Sequence, residues 1–224
     1  MIPSSDQLSN NMLEQWILPV FYKKDEQGEK DTIGGQCFLV NNFLVTAAHV
    51  INDDWKEPYI QFGEKNIPLK KEDAIAYSYT PIIENLGDYE DFAIFPLHFE
   101  IKSPLIFSEI EIESNLLCYY CHKDQQEKID IYDNTIFSII EKPQTSNEIH
   151  IFTSLATFDN IISQKLFLCK VSPILAEGDS GCPILTTDNK VLGLLIGVRK
   201  EDIYIHVFQS AAYIKKILNL CIVN

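Results

Sequence analysis

The sequence predicts an all-β protein, because short apolar runs alternate with turn residues along most of the chain. These runs are rich in Ile, Val, Phe and Tyr and recur roughly every ten to twenty residues, which is typical of a β-sandwich or β-barrel. A chain of 224 residues is long enough to bury a sizeable core in such a fold. The predicted strands cover residues 16–22, 36–40, 43–46, 59–62, 74–79, 92–97, 116–122, 129–137, 148–153, 165–171, 183–187, 191–198 and 203–207.

Two hairpin turns and one helix complete the predicted elements. The pair Asn41 and Asn42 between two strands predicts a tight hairpin turn, and the TDNK segment at 187–190 predicts another. Apolar side chains recur with helical spacing over 209–220, which predicts a C-terminal helix. If the chain forms two lobes, the proline- and charge-containing stretch 97–116 connects them.

The composition limits the classes of partner and compartment. Acidic residues outnumber basic residues by 32 to 18, and the formal net charge is −14. Such a charge repels phosphate backbones, so we expect no nucleic-acid partner; it either favours basic peptides or serves solubility alone. The chain has no apolar run of about 18 residues, and its first residues lack the pattern of a signal peptide. We therefore expect a cytoplasmic protein with no membrane partner.

We expect the six cysteines to be free thiols, because the chain is large and lacks an export signal. A CYYCH segment at 118–122 matches the spacing of c-type haem attachment. Its tyrosines favour a β-strand instead, and no fourth metal ligand is evident. The sequence therefore predicts neither a cofactor nor a metal. The cysteines are Cys37, Cys118, Cys121, Cys169, Cys182 and Cys221.

The segment GDSGCP at 178–183 contains a candidate nucleophile, Ser180. Glycines on both sides of a serine allow a tight, exposed turn. The N–H groups of Gly178 and Ser180 can then converge as an oxyanion hole for a tetrahedral intermediate. Gly, Asp and Ser are also ordinary turn residues, so a simple turn is the alternative interpretation of this segment.

A serine nucleophile needs a base, and the candidate is His49 in the TAAH segment at 46–49. Small residues before His49 allow close packing at a strand end, whereas a lone histidine there is more often structural. The other histidines lack such a setting and lie inside or beside predicted strands. They are His98, His122, His150 and His206.

The base in turn needs an orienting group, and the candidate is Asp91. Asp91 directly precedes an apolar run, so we expect its carboxylate to be partly buried and to need a partner such as an imidazole N–H. Asp88 and Glu90 are nearby alternatives. Their neighbours are more polar, which indicates a solvated loop for both.

Together, these three segments resemble the trypsin/chymotrypsin family of serine proteases. The TAAH segment, DFAI at 91–94 and GDSGCP occur in the family's order of histidine, aspartate and serine, with separations of 42 residues (91 − 49) and 89 residues (180 − 91). The resemblance covers about 16–220 of the chain, although the middle, 100–163, matches only as strands. A joint match of three motifs in order is far more specific than any one of them.

The resemblance implies a chymotrypsin-like fold of two six-stranded antiparallel β-barrels and a C-terminal α-helix. The corresponding units are an extension at 1–14, a barrel at 15–100 carrying His49 and Asp91, a barrel at 101–208 carrying Ser180, and the helix at 209–224. It also implies a serine endopeptidase that works through an acyl-enzyme, with protein or peptide substrates. In that mechanism His49 is the base, Asp91 holds its tautomer, and Gly178 and Ser180 bind the oxyanion.

The sequence departs from the family at several positions. The family's disulfides have no matched pairs, and Val50 follows the histidine instead of a cysteine, which suits a reducing compartment. Cys182 replaces a glycine that has no chemical role, so we expect this change to be tolerated. The usual N-terminal activation sequence is also missing, since the only similar string, IGG at 33–35, belongs to the hairpin before His49. In the family the new amine pairs with the residue at Asp179. We therefore expect a ligand or a regulatory protein partner, rather than N-terminal trimming, to switch the activity.

Substrate preference is weakly encoded. The resemblance places Ile174 near the base of the primary pocket and Ile196, Gly197 and Val198 along its wall, with Asp202 also able to face it. Ile174 favours an apolar residue before the scissile bond, whereas Asp202 favours Arg or Lys. Two alternative functions share these features, namely a trypsin-fold binding module with little turnover and a general esterase.

Overall fold

The computed structural model describes residues 15–22, 32–52, 57–80, 86–98, 103–108, 116–122, 150–172, 178–186, 190–199, 202 and 204–223. Within these ranges the chain forms fourteen strands, three short 3₁₀ helices (Ala48–Ile51, Lys71–Asp73 and Leu86–Asp88) and one α-helix, α1 (Ala211–Val223). The strands are β1 (Ile17–Tyr22), β2 (Thr32–Val40), β3 (Phe43–Thr46), β4 (Tyr59–Phe62), β5 (Lys65–Pro68), β6 (Ala76–Tyr79), β7 (Asp91–Pro96), β8 (Ile106–Phe107), β9 (Leu116–His122), β10 (His150–Ile161), β11 (Leu166–Ser172), β12 (Pro183–Leu185), β13 (Lys190–Val198) and β14 (Ile205–Ser210).

The first sheet contains seven antiparallel strands in the order β5-β4-β1-β2-β3-β7-β6. Every residue of β1 is buried, because this strand lies between β2 and β4. The predicted hairpin turn at Asn41 and Asn42 is confirmed: Val40 pairs with Phe43, and Asn41 adopts a left-handed φ of 52°. Asparagine tolerates that conformation better than most residues, which explains its position in a two-residue turn.

The second sheet has the order β12-β9-β10-β11-β14-β13-β8. Because β12 also pairs with β13, strands β9 to β14 close into a ring of six antiparallel strands. The remaining strand, β8, adds to β13 in parallel. The predicted double-barrel architecture is thus confirmed, with β5 and β8 as strands beyond the two expected sets of six.

Strands β5 and β8 were not predicted, because their sequences show little of the apolar pattern that marks a strand. Three of the four residues in β5 are exposed, and β8 has only two residues. Strand β10 runs to Ile161 rather than ending at 153, and a register shift between Phe158 and Asn160 accommodates its polar end. The expected strand 129–137, the extension 1–14 and most of the turn 187–190 lie outside the described residues.

The two sheets and the helix share one apolar core. It includes Phe38 and Phe92 from the first sheet, Leu168 and Leu194 from the second, and Ile214 from α1. Burial of such side chains drives the sheets together. The predicted C-terminal helix is confirmed, because α1 packs its buried residues against this core. The loops that follow β3, precede β7 and precede β12 consequently converge between the sheets.

No helix in the described part of the chain is both long and apolar enough to cross a membrane.

Candidate active site

His49 lies in the 3₁₀ turn that directly follows β3. Ala47 and Ala48 are fully buried, and their small side chains let the turn pack tightly against the first sheet. The Tyr22 hydroxyl donates a hydrogen bond of 2.6 Å to the carbonyl oxygen of Val50, which fixes the end of the turn. The His49 side chain remains 30% exposed, so its ring is held in place yet reachable from solvent.

Asp91, the first residue of β7, is fully buried and receives three hydrogen bonds on its carboxylate. The His49 Nδ1 atom lies 2.5 Å from Oδ2, and the His49 backbone N–H donates to Oδ1 at 2.9 Å. The Tyr89 hydroxyl also donates to Oδ2, at 2.9 Å. A buried carboxylate needs such donors to offset its lost hydration. The expected pairing of Asp91 with an imidazole N–H is therefore present.

The Tyr89 hydroxyl is chemically suited to remain a donor in this position. Burial raises the pKa of Tyr89 well above its usual range, and the negative charge and hydrogen bond of Asp91 raise it further. Tyr89 thus keeps its proton and remains a donor at neutral pH. Its bond to Asp91 constrains the same oxygen that contacts His49 Nδ1.

The backbone of Asp91 is anchored by the second sheet. Its N–H donates to the Gln209 side-chain oxygen at 3.1 Å, and the Gln209 amide nitrogen donates to the Lys165 carbonyl oxygen at 3.0 Å. Gln209 lies in β14 and is fully buried. The position of the carboxylate therefore depends on the packing of one sheet against the other.

Glu90 forms a polar cluster between the two sheets and α1, rather than lying in the solvated loop that the sequence indicated. Its carboxylate accepts hydrogen bonds from Lys165 Nζ and, at 2.6 Å each, from the hydroxyls of Ser78 and Tyr213. Burial opposes ionisation of Glu90, but the bonds from Lys165, Ser78 and Tyr213 outweigh it and lower its pKa. The bond to Glu90 correspondingly raises the pKa of Lys165. Asp88, by contrast, is exposed.

Ser180 lies in a tight turn just before β12. Gly178 and Gly181 on either side have φ values of 92° and 89°, a conformation that side-chain-bearing residues rarely adopt. The Gly181 N–H donates to the Leu195 carbonyl oxygen at 2.7 Å, and the Cys182 N–H donates to that of Asp179 at 3.0 Å. The first bond ties the turn to β13 and the second lies within the turn. Asp179 itself is almost fully buried.

The Ser180 turn also contacts the first sheet at β2. The Gln36 backbone N–H donates to the Ser180 carbonyl oxygen at 2.7 Å. A Cβ atom on Gly35 would lie 2.5 Å from Val50 Cγ1 and 3.1 Å from that same oxygen. Only glycine fits there, and its absent side chain lets the His49 turn and the Ser180 turn meet at one point on β2.

The expected pocket residues lie along β13 and in the turn that follows it. Ile196 is buried, Gly197 is half-buried and Val198 is exposed. A Cβ atom on Gly197 would meet no atom within 4 Å, so space is open beside the strand. The Asp202 carboxylate accepts a hydrogen bond of 3.0 Å from the Tyr204 N–H, as in an Asx turn. Ile174 lies outside the described residues.

The structure joins His49 to Asp91 directly and brings Ser180 to the same junction through β2. Sequence reasoning missed Gln209 and Gln36, whose side-chain bonds link segments 118 and 142 residues apart. It also missed Tyr89, which bonds to Asp91 only two residues away. One available signal was Gln36 itself, a polar residue inside an apolar strand. Among the described residues, no group of three or more His, Cys, Asp or Glu side chains is arranged to hold a metal ion.

No protein-family model matches the sequence, and no curated protein matches it either. The structure, however, is similar to solved proteases. Rv3671c of M. tuberculosis, in an inactive form, aligns over 99% of this chain and 97% of its own, with a TM-score of 0.56 and 13% identity. The chain has the chymotrypsin-like double-barrel fold.

Two further solved structures have a similar fold. A catalytically active tobacco etch virus protease complexed with product has a TM-score of 0.58 and 12% identity, covering 93% of this chain and 78% of its own. A scabies mite inactivated protease paralogue has a TM-score of 0.57 and 15% identity, covering 99% of this chain and all of its own. The family resemblance that the motifs suggested is therefore confirmed at the level of the fold.

Proposed function

We propose that this protein is a serine endopeptidase with Ser180 as nucleophile, His49 as general base and Asp91 as the group that orients the base. The observation that carries this proposal is the fully buried Asp91 carboxylate, which holds both the ring and the backbone of His49 at 2.5 and 2.9 Å. A carboxylate buried against a partly exposed imidazole is well suited to fix one tautomer, with Nε2 left to accept a proton.

In the proposed mechanism, Ser180 Oγ attacks the scissile carbonyl carbon while its proton passes to His49 Nε2. The carbonyl oxygen becomes an oxyanion that accepts hydrogen bonds from the N–H groups of Gly178 and Ser180. Collapse of the intermediate moves the proton from His49 to the leaving amine, and water then attacks the acyl-enzyme by the same route.

We further propose that the substrate is a protein or peptide that lies beside β13, where Gly197 leaves open space. The net charge of −14 supports a preference for basic substrate segments. Cleavage of a peptide library, read by mass spectrometry, distinguishes a basic preference through Asp202 from an apolar one through Ile174. Cleavage only after acidic residues would contradict both.

The proposed setting is the cytoplasm, with a dedicated target and a regulatory protein partner. Cys37, Cys169, Cys182 and Cys221, in the part of the chain that the structure describes, are not disulfide-bonded, which supports a reducing compartment. The partner is tested by assaying the purified full-length protein alone and after adding cell extract. Full activity without extract would remove the need for such a partner.

The decisive experiment for the function is active-site labelling with a fluorophosphonate probe. The wild-type protein is expected to incorporate the label at Ser180, as mapped by mass spectrometry, and the Ser180→Ala variant is expected to incorporate none. Both proteins should unfold at the same temperature, which excludes a folding defect as the cause. A folded wild-type protein that resists labelling would instead favour the binding module.

A further inference from the structure

Gln36 is a fully buried polar residue in β2 that contacts both ends of the Ser180 turn. Its backbone N–H donates to the Ser180 carbonyl oxygen at 2.7 Å, and its side-chain Nε2 donates to the Gly178 carbonyl oxygen at 2.9 Å. Its own carbonyl oxygen accepts a bond of 2.6 Å from the Thr46 hydroxyl. One residue of the first sheet thus donates hydrogen bonds to two carbonyl groups of a turn in the second sheet.

The Gly178 carbonyl depends on a hydrogen bond from outside the turn to fix its direction. Glycine lacks a Cβ and has wide conformational freedom, so the peptide plane after Gly178 is not fixed by local sterics. The opposite end is constrained by packing, because a Cβ atom on Gly181 would lie only 2.1 Å from the Gln36 carbonyl oxygen. The side-chain amide of Gln36 supplies the corresponding constraint at Gly178.

The chemistry of the contact requires a donor. The Gly178 oxygen accepts from Gln36 Nε2, whereas an ionised carboxylate at the same place would repel that oxygen. An apolar side chain would leave the carbonyl without this bond inside a buried junction, which is unfavourable. Oxyanion donors are effective only when they are held in position before the reaction begins.

We propose that Gln36 is a positioning residue. Its side-chain bond to the Gly178 carbonyl fixes the conformation of the Ser180 turn, which carries the proposed oxyanion donors. The proposal rests on the proposed function for its catalytic consequence, but the ordering of the turn is a property of the folded chain alone. In such a protein, a residue of the first sheet fixes part of the Ser180 turn without any added ligand.

The test compares Gln36→Met, which keeps the side-chain length and removes the donor, with Gln61→Met as a matched control in the same sheet. Gln61 is exposed in β4 and lies outside the proposed machinery. Hydrogen–deuterium exchange of the full-length protein is measured on peptides covering 178–186. We expect exchange there to become about tenfold faster in Gln36→Met and to stay unchanged in Gln61→Met, in line with the loss of one buried hydrogen bond.

A second variant, Gln36→Glu, separates hydrogen bonding from packing. A protonated carboxyl donates to the Gly178 oxygen, whereas the carboxylate does not. Relative to wild type at the same pH, the variant should therefore lose exchange protection at pH 8 and recover it toward pH 5. A packing role predicts no such dependence. This measurement also decides the proposal if Gln36→Met does not fold.

Kinetics on a peptide or ester substrate then test the catalytic consequence. We expect Gln36→Met to lower kcat by about tenfold to a hundredfold and to leave KM within twofold, because oxyanion stabilisation acts in the transition state. Unchanged exchange in Gln36→Met and in Gln36→Glu at pH 8 would overturn the proposal that the Gln36 side chain orders the Ser180 turn. Faster exchange with unchanged kcat would overturn its catalytic role. Failure of wild type to label with fluorophosphonate would overturn the proposed function, while the exchange result would still decide whether the Gln36 side chain orders the Ser180 turn.

Discussion

The two halves of the candidate active site are held in different ways. The His49–Asp91 half is built from side chains around a buried carboxylate that accepts bonds from His49 and Tyr89. The Ser180 half depends on backbone groups. Two glycines have positive φ, and the carbonyl groups of Gly178 and Ser180 accept hydrogen bonds from Gln36. The first half depends on charge and hydrogen bonding, and the second depends on the shape of the chain.

This difference follows from what each half has to do. Burying a carboxylate costs free energy unless hydrogen-bond donors surround it, and such donors surround Asp91. A serine on a sharp turn needs backbone geometry that few residues permit, so glycines and backbone hydrogen bonds surround the half-buried Ser180. Changes of charge should therefore damage the first half, and changes of backbone shape should damage the second.

The largest expected effect is at the carboxylate. Asp91→Asn should reduce kcat at neutral pH by about 10⁴-fold, because an amide at this position permits the His49 tautomer that cannot accept the serine proton. The measurement is kcat on a peptide substrate. Asp88→Asn, which removes an exposed carboxylate three residues earlier, is the matched control and should retain wild-type activity. Equal losses in both variants would contradict the assignment of Asp91.

A change of backbone shape should break the other half. Gly181→Ala places a methyl group 2.1 Å from the Gln36 carbonyl oxygen at a φ of 89°, so we expect about 2–3 kcal/mol of destabilisation. Fluorophosphonate labelling should also slow by at least about tenfold as the turn shifts. Gly63→Ala is the control, since Gly63 also has positive φ but has no atom within 4 Å of an added Cβ. It should cost about 1 kcal/mol and leave labelling unchanged.

A smaller effect is expected from the second donor to the carboxylate. Tyr89→Phe removes the hydroxyl that bonds Asp91 Oδ2 and keeps the aromatic ring. Loss of one hydrogen bond to a charged group should lower kcat by about tenfold with little change in KM. Tyr77→Phe is a suitable control, because the Tyr77 ring packs beneath Lys71 instead. If both variants keep full activity, the Tyr89 hydroxyl does not position Asp91.

The smallest expected effect is at the polar cluster beside the site. Glu90→Gln removes the charge that pairs with Lys165 and should destabilise the protein by about 1–2 kcal/mol at pH 7. The folded state lowers the pKa of Glu90, so its contribution is present above the unfolded value of about 4.3 and is lost as pH falls through the folded value. The stability difference between the two proteins, measured by urea unfolding, should therefore shrink from pH 7 to pH 3. A difference that grows toward low pH would be inconsistent with this pairing.

Much of the fold could be predicted from local patterns. The runs that became β2, β3 and β7 are strongly apolar, and Asn41 and Asn42 mark their hairpin without reference to the rest of the chain. Strand β5 could not be predicted in this way, because three of its four residues are exposed and only its pairing with β4 makes it a strand. The polar end of β10 likewise becomes a strand through its partner β11.

The sequence by itself determined the all-β class from its apolar runs, and the ordered resemblance of three motifs indicated the double barrel and the candidate residues His49, Asp91 and Ser180. Only the tertiary structure decided how those residues are supported. Gln209, Glu90 and Gln36 act through bonds between segments up to 142 residues apart, as from Gln36 to Gly178. Such a bond leaves no local pattern, since hydrogen-bond partners are chosen by distance and direction after the two sheets pack.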